Sequence, residues 1–137
     1  MKGKVVIITG ASSGIGRACA IEFAGRGYTT VIAARQEEKL EELTSELKQF
    51  GNPVLAVKTD VKNELYCSNL IDKTIQKFGK IDVLINNAGI SMRALLNDLD
   101  LKVLKELMDT NFWGMVYCTK FALPHLIASK GCIVGIS

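Results

Sequence analysis

Apolar residues along this chain alternate between two rhythms. Short runs rich in β-branched residues, at 5–8, 29–34, 54–57, 81–85 and 131–137, read as buried strands. Between them lie longer stretches with helical spacing. The first carries Ile15, Ala18, Cys19, Phe23 and Ala24 and stops near Arg26-Gly27. The second, 37–50, sets Leu40, Leu43, Leu47 and Phe50 on one face. Its other face, with Glu38, Lys39, Glu42, Glu46 and Lys48, is solvated. Gly51-Asn52-Pro53 breaks it. The third, about 63–78, has Leu65, Leu70, Ile71, Ile75 and Phe78 as its stripe, and Gly79 closes it. After an irregular stretch, 90–99, Asp100 suits the N-cap of a helix carrying Leu101, Leu104, Leu107 and Met108. Helical patterning continues past Asn111 to about residue 127, with a break or kink expected at Pro124.

Strands that alternate with crossovers of this length predict right-handed βαβ units and a parallel sheet. The fold class is therefore α/β: a Rossmann fold, a doubly wound sheet of order 3-2-1-4-5, with ligand bound at the carboxyl ends of the strands. Residues 1–137 read as one domain that stops after its fifth strand.

Composition narrows the class. With 48% hydrophobic and 23% charged residues, the chain is an ordinary globular one. Its net charge of +3 comes from interspersed signs, which argues against a nucleic-acid partner. No apolar run is long enough for a membrane span. Lys2 and Lys4 imitate the start of a signal peptide, but the apolar run after them is short and leads into a glycine turn. A cytoplasmic location is expected. Cys19, Cys67, Cys118 and Cys132 lack metal-ligand spacing and read as buried, reduced thiols. His125 stands alone, so it is assigned a structural role, and no metal site is expected.

The chemistry gathers where strands end. Strand one runs into Thr9-Gly10-Ala11-Ser12-Ser13-Gly14-Ile15-Gly16, followed directly by helical spacing. Glycines there permit backbone angles that a Cβ forbids and let a ligand lie against the main chain. The helix start then offers free N–H groups and the positive end of its dipole to a pyrophosphate. Strand two ends in Arg35, a permanently charged fork suited to a ribose 2′-phosphate. It could equally be a solvated residue paired with Glu37 or Glu38. Strand three leads to Asp60-Val61, and strand four ends in Asn86-Asn87-Ala88-Gly89. Asn111 lies in a helical pattern, where an Asn is disfavoured and needs a reason.

Together these segments resemble the short-chain dehydrogenase/reductase family. The glycine octet resembles its cofactor motif, Asp60-Val61 its adenine-contacting pair, and Asn86–Gly89 its second signature. Asn111 resembles its helix asparagine. The resemblance implies cofactor contacts from Thr9, Gly10, Ser12, Ser13, Gly14, Ile15, Gly16, Arg35, Asp60, Val61, Asn87, Ala88 and Gly89. For Asn87, tying strand ends together is an equal alternative. It also implies a catalytic role for Asn111, holding a water on a proton path. Arg35 favours NADP(H) over NAD(H). The implied reaction moves a hydride between nicotinamide and a small-molecule carbonyl or alcohol, and the implied assembly of the full-length protein is a homo-oligomer, a dimer or tetramer. Residues 90–93 would border the substrate.

The family's fifth strand typically ends in two serines, the second catalytic, and Ser137 matches the first. The catalytic serine, and the tyrosine and lysine of Tyr-x-x-x-Lys, would follow it. Neither Tyr28, Tyr66 nor Tyr117 substitutes, since Lys120 lies only three residues after Tyr117. Two readings result. The chain is the cofactor half of an oxidoreductase and inactive alone, or it is a non-catalytic nucleotide-binding or interaction module with an exposed fifth strand.

Overall fold

The computed structural model describes residues 3–91 and 94–137. The strands are β1 (Val5–Thr9), β2 (Thr29–Ala34), β3 (Val54–Lys58), β4 (Val83–Asn86) and β5 (Cys132–Gly135). The α-helices are α1 (Gly14–Gly25), α2 (Glu37–Lys48), α3 (Glu64–Phe78), α4 (Leu101–Met108) and α5 (Gly114–Ser129). A 3₁₀ turn, Leu96–Asp98, precedes α4, and a π-helical turn, Asp109–Trp113, joins α4 to α5. All pairings are parallel and the strand order is β3-β2-β1-β4-β5.

The central strands β1 and β2 are covered on both faces of the sheet, because successive side chains of a strand point to opposite sides. Val6, Ile8 and Ile32 pack with Ala20 and Ala24 of α1 and the α2 leucines Leu40, Leu43 and Leu47. Val5, Ile7 and Val31 pack with Leu70 and Ile71 of α3 and Cys118, Ala122 and Leu126 of α5. The buried strands carry continuous apolar runs, as a sheet covered on both sides requires. The strand order switches direction between the paired strands β1 and β4, and the cleft opens above that point.

Several sequence expectations need correction. In α1 the buried stripe is Gly16, Ala20 and Ala24, while Ile15 is 59% exposed at the cleft. Phe50 lies beyond α2 and is exposed. In α3, Leu65 is 78% exposed, and Cys67 and Thr74 complete the buried stripe. Thr74 is accommodated because its hydroxyl donates to the Leu70 carbonyl at 2.8 Å. Pro124 does not break α5. Pro124 and Lys120, the residue whose carbonyl loses its partner, are both exposed, so the freed carbonyl is open to solvent. Cys67 and Cys118 are buried, Cys19 is half-buried and Cys132 is exposed.

The N-caps at Asn63 and Asp100 follow from their side chains. Asn63 Oδ1 accepts from the Leu65 and Tyr66 N–H groups, and Asp100 Oδ1 from Lys102. Among the described residues, no helix is long and apolar enough to cross a membrane.

Candidate functional site

Thr9 organises the base of the cleft. As the last residue of β1, its hydroxyl donates to the Ile85 carbonyl at 3.4 Å and accepts from the N–H groups of Asn87 and Ala88, both at 3.0 Å. The Asn87 amide returns the contact, donating to the carbonyls of Thr9 (3.2 Å) and Gly10 (3.1 Å). The β1 turn and the end of β4 are thus one hydrogen-bonded unit. Gly10 sits in the left-handed region at φ 63°, and a Cβ there would lie 2.8 Å from Ala88 Cα. A Cβ on Gly16 would collide with the Gly10 carbonyl and the Asn87 amide. Backbone meets backbone here, and only glycine fits.

The turn delivers the chain into α1. Ser13 is its N-cap, yet the Ser13 side chain makes no capping bond, so its hydroxyl is available to a ligand. The first N–H groups of a helix have no intrahelical acceptor. A cleft of about 300 Å³ lies over this point. It is lined by Gly10, Ser12, Ser13 and Ile15 of the turn, by Ala34 and Arg35 after β2, and by Thr59, Asp60 and Val61 after β3. Asn87, Ala88, Gly89 and Thr110 close the other side. Among the described residues no carboxylate pairs with Arg35.

The end of β3 is held to that of β2 by the Thr59 N–H, which donates to the Ala34 carbonyl at 2.8 Å. Asp60 then turns the chain, its Oδ1 accepting from the Lys62 N–H at 3.1 Å. The Lys62 ammonium pairs with Glu106 of α4 at 2.9 Å. That hydrogen bond, and then the charge of Asp60, hold Lys62 above its ordinary pKa, while Arg35 opposes the shift. The same bond holds the Glu106 carboxyl below the usual range, and Arg35 adds to that effect.

A second, larger cleft of about 810 Å³ adjoins the first on the α5 side. Its walls include Ile15, Ile90, Ser91, Asn111, Met115 and Ile136. Asn111, in the π-helical turn, uses both ends of its amide on one residue. Its Oδ1 accepts from the Ile90 N–H at 2.8 Å and its Nδ2 donates to the Ile90 carbonyl at 2.7 Å. The Asn111 side chain thus clamps the loop after β4. Of residues 90–93, Ile90 and Ser91 border this cleft, and Met92 and Arg93 lie outside the described residues.

Every candidate cofactor residue named from the sequence, and Asn111, lines one of the two clefts except Gly14 and Gly16, which shape the turn beneath. Thr59, Thr110 and Met115 also line them and were not singled out. Thr59 carried a signal, standing between a strand end and Asp60. Thr110 and Met115 did not, since helical spacing alone does not say which face meets a cleft.

A parallel sheet of this order, with a glycine-cradled cleft at its switch point, defines a nucleotide-binding Rossmann fold. The chain belongs to the short chain dehydrogenase family, whose model matches residues 4–137. Among curated relatives, 11-beta-hydroxysteroid dehydrogenase A of Sesamum indicum is 47% identical over 98% of this chain and 39% of its own length. The 11-beta-hydroxysteroid dehydrogenase-like 2 of Arabidopsis thaliana is 46% identical over 98% of this chain and 44% of its own. The chain thus spans less than half the length of these relatives. Among solved structures, an alcohol dehydrogenase from the archaeon Thermococcus sibiricus complexed with 5-hydroxy-NADP superposes with a TM-score of 0.94 at 32% identity. It covers 96% of this chain and 57% of that one. A short-chain dehydrogenase/reductase from Caenorhabditis elegans, solved with cofactor, gives 0.92 at 38% identity, over 99% of this chain and 53% of that one.

Proposed function

We propose that this chain is the cofactor-binding part of an NADP(H)-dependent oxidoreductase acting on a carbonyl or alcohol. Family membership supports the reaction class. The observation that carries the cofactor preference is Arg35, a cation on the rim of the glycine-turn cleft where a cofactor without a ribose phosphate calls for a carboxylate. The residues present fit a dinucleotide. The turn has room only for backbone at Gly10 and Gly16, the α1 N-terminus and the Ser13 hydroxyl face the pyrophosphate position, and Asp60 keeps an oxygen for the adenine amino group. Asn111 positions the loop that borders the nicotinamide. Bound there, the cofactor supplies the hydride exchanged with the substrate carbon.

The second cleft, with Ile15, Ile90, Met115 and Ile136 in its walls, suits an apolar substrate. The names of the relatives put hydroxysteroids first among compounds to try. The tyrosine, lysine and second serine of the family's acid–base machinery are assigned to the part of the relatives' length that this chain does not span. Alone, the chain binds cofactor and turns nothing over. The assembly of the whole protein is taken to be a homo-oligomer, and its location cytoplasmic.

Calorimetric titration with NADPH and with NADH tests the reading. Arg35→Ala should weaken NADPH binding by about 1.5–3 kcal/mol, the worth of charged hydrogen bonds, and leave NADH nearly unchanged. Equal losses for both would overturn the NADP(H) assignment. Turnover of any carbonyl by the 137-residue chain would overturn its inactivity.

A further inference from the structure

Glycine is a poor helix former, yet Gly114 stands where the π-helical turn passes without a break into α5. Its neighbour explains it. A Cβ at this position would lie 2.6 Å from Val61 Cγ2, 2.9 Å from Val61 Cβ and 3.2 Å from the Val61 carbonyl oxygen. Ordinary contact between carbons is about 3.5–4.0 Å, so the backbone of α5 rests on Val61 with no room for a methyl group. Val61 is itself buried, in the middle of a pinned turn. The Asn63 N–H closes that turn on the Asp60 carbonyl at 3.0 Å, and the Val61 carbonyl accepts from the Cys67 thiol at 3.4 Å. The open side left to the Val61 side chain is the first cleft, which it lines beside Asp60.

The same stretch of helix is held from its other side. Asn111, three residues before Gly114, clamps Ile90, and a Cβ on Gly89 would lie 3.1 Å from Asn111 Oδ1. Residues 111–114 are thus wedged between the loop after β3 and the loop after β4. The helix cannot back away from Val61 without pulling on the Asn111 clamp.

We propose that Gly114 is a positioning residue of the adenine subsite. Its missing side chain lets Val61 sit back against α5, and that sets the depth of cleft open to the adenine ring. The inference rests on the dinucleotide reading above. Gly114 does not line the first cleft and acts through Val61. A side chain at 114 drives Val61 forward into the space of the ring. The competing account makes Gly114 a packing residue only, needed for α5 to dock and without bearing on adenine.

Titration of the 137-residue chain with NADPH, and with AMP by competition, separates the accounts. AMP carries the adenine and lacks the nicotinamide. Under the proposal Gly114→Ala, still folded at the temperature of measurement, weakens both ligands about five- to fiftyfold, the size expected of overpacking by one methyl. Val61→Ala removes the closest atom, so Gly114→Ala made in that background costs at least about threefold less, a coupling that independent sites do not show. Equal costs in the two backgrounds overturn the proposal. So does a loss for NADPH without one for AMP, or a lower melting temperature with both affinities kept. If Gly114→Ala alone does not fold, the double variant decides. Folded and binding AMP within about threefold of Val61→Ala, it supports the proposal; unfolded, or weaker than that, it overturns it. If the unaltered chain binds neither ligand, the dinucleotide reading falls and the proposal with it. If it binds both and the variants show no coupling, only the role of Gly114 falls.

Discussion

Thr9 shows how much one side chain can hold. Its hydroxyl is buried and serves two N–H groups and one carbonyl, so Thr9→Val keeps the shape and strands all three. We expect a loss of about 1–3 kcal/mol in chemical denaturation, the cost of leaving buried polar groups unpaired. NADPH and NADH should weaken together, unlike the selective loss at Arg35, and Thr9→Ser should recover most of the stability. Cysteine reactivity also belongs to this scale. Cys118 is raised above the ordinary thiol range, first by its hydrogen bond with Cys67 and then by burial, so it stays protonated. Timed alkylation read by mass spectrometry should label exposed Cys132 first and Cys19 next. Cys67 and Cys118 should react only on unfolding. Labelling of Cys118 in the native chain at the rate of Cys132 would contradict the packing.

Elements are joined through a few buried polar contacts at the sheet end opposite the cleft. Asp82 accepts from the Val5 N–H at 2.8 Å through its carboxylate and from the Cys132 N–H at 2.9 Å through its carbonyl. The carboxylate, bridged to Lys80 at 3.2 Å, therefore pins β1 beside the start of β4. Asp82→Ala should lower the denaturation midpoint by an amount worth about 1–3 kcal/mol, while Asp82→Asn, which keeps an acceptor, should cost less. Equal losses would assign the effect to charge rather than to the hydrogen bond. On the cleft side, the π-helical turn Asp109–Trp113 brings Asn111 onto Ile90, and such turns recur at functional sites. The periodicity of 101–127 predicted helix through this region but carried no sign of the widened turn. Helical spacing persists on either side of a single widened turn, so it does not mark where the widening falls.

At the scale of the molecule, one sheet edge and the helices α4 and α5 carry apolar surface. β5 is exposed along its length, with Ile133 at 42%, and Ile127 on α5 and Leu101 on α4 are exposed too. Unpaired backbone beside apolar side chains favours association. Light scattering of the 137-residue chain should show mass rising with concentration, and Ile133→Lys should reduce it. A constant monomer mass would mean that this edge is not sticky.

The sequence by itself determined the alternation of strands and helices, the strand order and the strand-end residues that line the cleft. Runs, stripes, caps and glycine turns are written in neighbouring residues, whereas the strand order came with the Rossmann pattern as a whole, since the one hand of a βαβ connection does not set it. Only the tertiary structure decided which helical residues are buried. Leu65 and Ile15 satisfy a helical period yet face outward, because burial depends on the neighbouring element. It also decided what the polar side chains touch. The Asn111–Ile90 clamp, the Thr9–Asn87 unit and the Lys62–Glu106 pair join residues 21, 78 and 44 positions apart. No local pattern encodes such separations; the folded sheet and its crossovers create them.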